Sequence, residues 1–150
     1  MRTRVAILGV LLSLAFGSSA WAQDRASCEV LMIHGLREGS GIDQALSQLR
    51  QLREAPFHPT YTTFRLLRRA RLGLTVGAPQ SLDLPTGRSL RLSFLGRSGQ
   101  DRLRFQVSIT RPGRSDYLPA VQYVTQRGEP YFQAGQVYQQ GVLVLAFVCR

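Results

Sequence analysis

The sequence predicts a mainly β fold, an antiparallel β-sandwich or small barrel with one N-terminal amphipathic helix. Three observations predict it. Apolar and polar residues alternate through 81–84, 89–94 and 103–110, and the turn residues Pro79, Pro85-Thr86-Gly87 and Pro112-Gly113 recur at short intervals. Only one segment, residues 42–52, spaces its apolar side chains at three and four. The alternative is a two-layer α+β domain, with the helix lying across a single curved sheet.

The N-terminal elements come first. Arg2 and Arg4 precede an apolar run over residues 5–16, and Ala20-Trp21-Ala22 places small residues where a signal peptidase cuts. The expectation is a signal peptide at 1–22, cleaved after Ala22, and a periplasmic or secreted product. The apolar run is shorter than the roughly 20 residues that span a bilayer. Cys28 lies too far downstream of it for lipidation. Residues 23–150 then form a single β-rich domain with no integral membrane span, because the longest remaining apolar run, 142–148, is also too short.

Residues 29–34 (EVLMIH) read as a buried strand, too short for a helix and bounded by Gly35. A polar loop over 37–41 leads into the predicted helix, whose apolar face is Ile42, Ala45, Leu46, Leu49 and Leu52. Asp43 in its first turn and Arg50 and Arg53 in its last suit the helix dipole, and Pro56 ends it. Two strands follow at 61–68 and 71–76, divided by a charged corner. Residues 81–84 and 89–94 form a hairpin, 96–101 its next turn, and 103–110 a strand with Leu103, Phe105, Val107 and Ile109 inward. The strand at 117–126 contains Pro119 and belongs at an edge or a bulge. The last run, 142–148, is apolar at both parities and belongs at a sheet centre, paired with a short strand beginning near Tyr131. This makes about eight strands.

Cys28 and Cys149 are the only cysteines, an even number in a chain sent to an oxidising compartment, so they are expected to form a disulfide. The bridge closes nearly the whole domain and requires the first and last strands to meet.

Composition narrows the chemistry. The chain has 150 residues, a formal charge of +10 and 19 basic side chains, all of them arginine. Without lysine there is no Schiff base, no pyridoxal chemistry and no phosphate-loop lysine. His34 and His58 lack metal-site spacing, no Gly-x-Ser-x-Gly elbow occurs, and the nine acids are scattered, so neither a cofactor nor a catalytic residue is assigned. The arginines are the distribution with a shape. Arg65, Arg68, Arg69 and Arg71 fall within seven residues, and a turn at 96–101 would set Arg91 and Arg104 diagonally on neighbouring strands, within reach of one anion. These six are the candidate anion-binding residues. Only Arg127 lies between Tyr117 and Tyr138, which argues against an aromatic and arginine nucleic-acid platform.

Several stretches together, CEVLMIHG, EGSGIDQALSQLRQL, PFHPTYTTF, the L-P-x-G-R hairpin and AGQVYQQGVLVLAFVC, give a resemblance over most of residues 28–149. The chain resembles small exported, cysteine-bracketed, β-rich proteins of myxobacterial type. The resemblance implies export and a β-rich fold, and brings no activity with it. The expected function is an exported, non-catalytic domain that binds an envelope protein. The alternatives are arginine-mediated binding of an acidic polysaccharide or lipid head group, and a hydrolase without a recognisable motif.

Overall fold

Nine strands form two sheets in the computed structural model, which describes residues 25–150. The expected signal peptide and its cleavage after Ala22 lie outside the described residues. The strands are β1 (Arg25–Leu36), β2 (Gly41–Ile42), β3 (Thr63–Thr75), β4 (Gln80–Asp83), β5 (Ser89–Arg97), β6 (Arg102–Ile109), β7 (Val121–Gln126), β8 (Pro130–Tyr138) and β9 (Gly141–Cys149). One sheet has the order β2-β3-β1-β9-β8 and the other β4-β5-β6-β7. Every pairing is antiparallel except the two-residue contact of β2 with β3. Neither sheet closes, so the barrel form of the expectation is set aside. The two sheets also overturn the single-sheet α+β alternative.

Period-two alternation explains how the layers meet. On β1, Cys28, Val30 and Met32 turn to one side and join Leu92, Phe94, Phe105 and Phe147 in a core to which both sheets contribute. Leu31 and Ile33 turn to the other side, where they join Leu46, Leu49, Leu52, Phe57 and Phe64 in a second core. The five-stranded sheet is therefore covered on both faces over β1 and β9, and β9, an interior strand, is apolar at both parities for that reason. A row of rings ties the sheets together at their β7 and β8 ends. Tyr123 stacks on Tyr131 at 3.8 Å between centroids and on Phe105 at 5.5 Å.

The predicted helix over 42–52 is absent. In its place stand two short 3-10 turns, Gln44–Leu46 and Arg50–Arg53. The buried leucines are 46, 49 and 52, a spacing of three, which stacks side chains on one line in a helix of three residues per turn. An α-helix would carry each successive leucine round by about 60° and off the sheet. Asp43 does cap the first turn: its carboxylate accepts from the Ala45 amide at 3.2 Å and from the Leu66 amide of β3 at 3.3 Å.

The charged corner between residues 68 and 71 is also absent. β3 runs unbroken beside β1, with Arg69 opposite Leu31 and Ala70 opposite Val30. What interrupts the alternation is a bulge: Ile33 pairs with Leu66 and Met32 with Arg68, which leaves Leu67 as the extra residue.

The expected disulfide is present. Cys28 and Cys149 are direct partners across β1 and β9, with Cα atoms 4.1 Å apart. Beyond them the Ser27 amide donates to the Arg150 carbonyl at 2.9 Å, and the Arg150 amide to the Ser27 carbonyl at 2.8 Å. Because such bonded pairs alternate along an antiparallel ladder, the cysteines occupy the non-bonded position, where the strands come closest.

Candidate functional site

The first arginine group is divided by the bulge in β3. Arg65 and Arg68 pair with His34 and Met32 and share the side that faces the four-stranded sheet, where Arg68 donates to the Asp83 carbonyl at 3.5 Å. Arg69 and Arg71 pair with Leu31 and Glu29 and share the opposite side. There Arg69 lies 3.2 Å and Arg71 3.9 Å from the Glu29 carboxylate, and Arg69 also donates to the Ala45 carbonyl at 3.2 Å. The four do not form one patch, and two of them already share an internal anion.

Arg91 and Arg104 are also not diagonal neighbours. β5 continues through Arg97, which tightens the turn to 98–101; Arg91 then pairs with Ser108 and Arg104 with Gly96. Four residue steps along β6, from Arg104 to Ser108, separate the two arginines by about 13 Å. Each has its own partner. The Arg91 guanidinium lies 4.0 Å from the centroid of the Tyr117 ring, and Arg104 donates at 3.4 Å to the carbonyl of Leu95, the extra residue of a bulge in β5.

The histidines have separate surroundings. His34 meets Tyr138 edge-on at 5.0 Å, its buried Nε2 without a hydrogen-bond partner, whereas His58 lines a hollow with Arg53 and Tyr61. Among the described residues, no three of His, Cys, Asp and Glu gather as metal ligands. No helix there is long and apolar enough to cross a membrane.

The feature that stands out is the side where β7 and β8 end their sheets. Of six exposed large apolar side chains among the described residues, three lie on β7 or the segment leading into it, Leu118, Val121 and Val124, whereas Val137 pairs with Val142 and stands on the opposite face of the five-stranded sheet. Between the two strands opens a cleft of about 270 Å³, with Val107, Ile109 and Val121 on one wall and Gln133 and Gln136 on the other. The buried Gln133 Oε1 has no hydrogen-bond partner, while Gln136 Oε1 accepts from the Thr86 hydroxyl at 2.9 Å.

The remaining free edges are blunted, as exposed edges usually are. The outer edge of β3 carries Arg65, Arg68, Arg69, Arg71 and a bulge; β4 has four residues and ends in Asp83; β8 begins at Pro130 and is bulged at Gly135. β7 alone has no charge, no proline and no register shift. The strand expected over 117–126 begins only at Val121, so Pro119 lies just before it rather than inside it, and β7 is an edge as expected. The clue missed in the sequence was the uncharged run over 117–126, which acquires meaning only once its outer side is known to be unpaired.

No family model, no curated protein and no solved structure matches the chain.

Proposed function

We propose that this chain is an exported, non-catalytic accessory domain that binds another protein of the cell envelope on its β7/β8 side. The observation that carries the reading is the bare β7 edge, where Leu118 and Val121 line an open cleft and Val124 is exposed on the outer face of the same strand. Export is supported by the Cys28–Cys149 disulfide, which suits an oxidising compartment, and by the pattern of residues 1–22. The same bridge supports kinship with the cysteine-bracketed exported proteins that the sequence resembles.

Site-specific photocrosslinking tests this in the native envelope. A benzophenone side chain in place of Val121 or Val124 should give discrete adducts, and one in place of Leu67 on the β3 edge should give none. Adducts from all three positions, or from none, would overturn the reading.

A second reading draws on the outer face of the four-stranded sheet. Arg91, Arg102 and Arg104 point outward there, and Asp83 on β4 is the acid placed on the same face by register. Binding to an acidic polysaccharide or to anionic vesicles should then fall steeply with salt and after Arg102→Ala or Arg104→Ala. Salt-independent binding would count against it.

A further inference from the structure

The backbone of β7 has a defined free side. The Arg127 amide donates to the Asp101 carbonyl at 2.8 Å, which makes these two a bonded pair just past the end of the β6–β7 ladder. Alternation then turns the amides and carbonyls of Thr125, Tyr123 and Val121 toward β6, and those of Gln122, Val124 and Gln126 toward the open edge. The Gln126 carbonyl is taken by the Glu129 amide at 3.1 Å and by the Thr125 hydroxyl at 3.2 Å. The amide and carbonyl of both Gln122 and Val124, with the Gln126 amide, are left for another strand.

We infer that the β7 edge binds an extended segment of another polypeptide as a fifth strand, and that this segment alternates apolar with acidic residues. The inference rests on the protein-binding reading above and gives it a partner chemistry. The pleat sets the alternation. Side chains of the added strand that point between the sheets meet Val121, which is 49% exposed, and the apolar wall of the cleft. Those that point outward lie beside Gln122, Val124 and Gln126, one strand away from Arg104 and Arg102, with Arg127 at the end of β7. Asp101 and Glu129 lie in the turns at one end of this edge, and Asp116, ahead of the other end, is already paired with Arg111. A second copy of the chain is a poorer occupant, because 17 arginines against eight acids in residues 25–150 set two like-charged molecules against each other.

The test uses the oxidised protein and an amide-capped nine-residue peptide alternating valine with glutamate. Amide chemical shifts should move at Gln122, Val124 and Gln126, and the complex should weaken with salt. Replacing glutamate by lysine in the peptide should weaken binding at least tenfold. Val124→Pro should do the same, since it removes an outward amide and leaves the β6 ladder intact. A peptide N-methylated at alternate residues needs no protein variant and should not bind. Equal affinity for the methylated peptide, or shifts confined to another edge, would overturn strand addition. If Val124 crosslinks to an envelope protein while the alternating peptide does not bind, strand addition fails and the protein-binding reading survives; if neither occurs, both fall. A dimer with the Val124 amide protected from exchange in the protein alone would assign the edge to a second copy and overturn the acidic partner.

Discussion

The guanidinium of Arg69 joins two layers: one nitrogen lies 3.2 Å from the Glu29 carboxylate on β1, and another donates at 3.2 Å to the Ala45 carbonyl in the first 3-10 turn. The side chains of Arg69 and Glu29 are 35% and 22% exposed, and that of Arg71, which shares the carboxylate, is 79% exposed. Arg69→Ala should therefore cost about 1–2 kcal/mol, from one half-buried pair and one charged hydrogen bond. Arg71→Ala should change stability by less than about 0.5 kcal/mol. Urea unfolding of the two variants separates them, and equal losses would contradict the arrangement.

Tyr123 carries a buried hydroxyl without a hydrogen-bond partner, and burial, followed by the neighbouring Tyr131, pushes its pKa well above the ordinary tyrosine value. The folded state thus holds this proton at pH values where the unfolded chain has released it. The resulting stability is complete below about pH 10 and is lost as pH rises from there toward the folded pKa. Tyr123→Phe should flatten that alkaline loss. At neutral pH the variant should be neutral or more stable by about 1 kcal/mol, because it removes an unsatisfied polar group and keeps the ring stack. Denaturant midpoints across neutral and alkaline pH test both statements.

The alternating segments were legible in the sequence because one side of each is buried and the other wet. The hairpin of β4 and β5, the inward face of β6 and the double-sided burial of β9 follow from that contrast. The 3-10 turns were misread because leucines at 46, 49 and 52 satisfy an i, i+3 pattern in either helix, and only the sheet beneath selects the tighter one. The arginine group looked continuous because a one-residue bulge at Leu67, invisible in composition, sends Arg65 and Arg68 to one face and Arg69 and Arg71 to the other. The bare edge of β7 depends on strand order, which is a property of the assembled sheets.

The hairpin between β8 and β9 uses Gln139 and Gln140 as its two-residue loop, and Gln139 has φ +49°. Positive φ at the first loop position favours glycine. Gln139→Gly should stabilise the domain by about 0.5–1 kcal/mol. Two residues on the opposite applies: a Cβ at Gly141 would overlap the Gly35 carbonyl oxygen and crowd His34. Gly141→Ala should cost about 3 kcal/mol or more, since β1 and β9 would have to part there. Thermal melts of the two variants should shift in opposite directions.

Reduction of the Cys28–Cys149 bridge releases a loop with a sequence separation of 121 residues. The chain-entropy treatment assigns such a loop roughly 5 kcal/mol, and native packing lowers what is recovered in practice. The reduced protein, or the Cys28→Ser/Cys149→Ser double variant, should unfold at markedly lower denaturant concentration while keeping its β-rich circular dichroism in water. An unchanged midpoint would remove the bridge from the stabilising interactions.

The position of that bridge also sets how the domain bears load. Arg25 and Arg150 lie at the same end of β1 and β9, three residues and one residue outside the cysteines. Tension applied between these two residues meets the paired backbone bonds of Ser27 and Arg150 and then the sulfur bridge before it can part the rest of β1 from β9. Oxidised, the domain transmits a pull as a short inextensible link, and the β7 edge keeps its shape under traction; reduced, the same pull would peel β1 from β9 and unzip the fold from its centre.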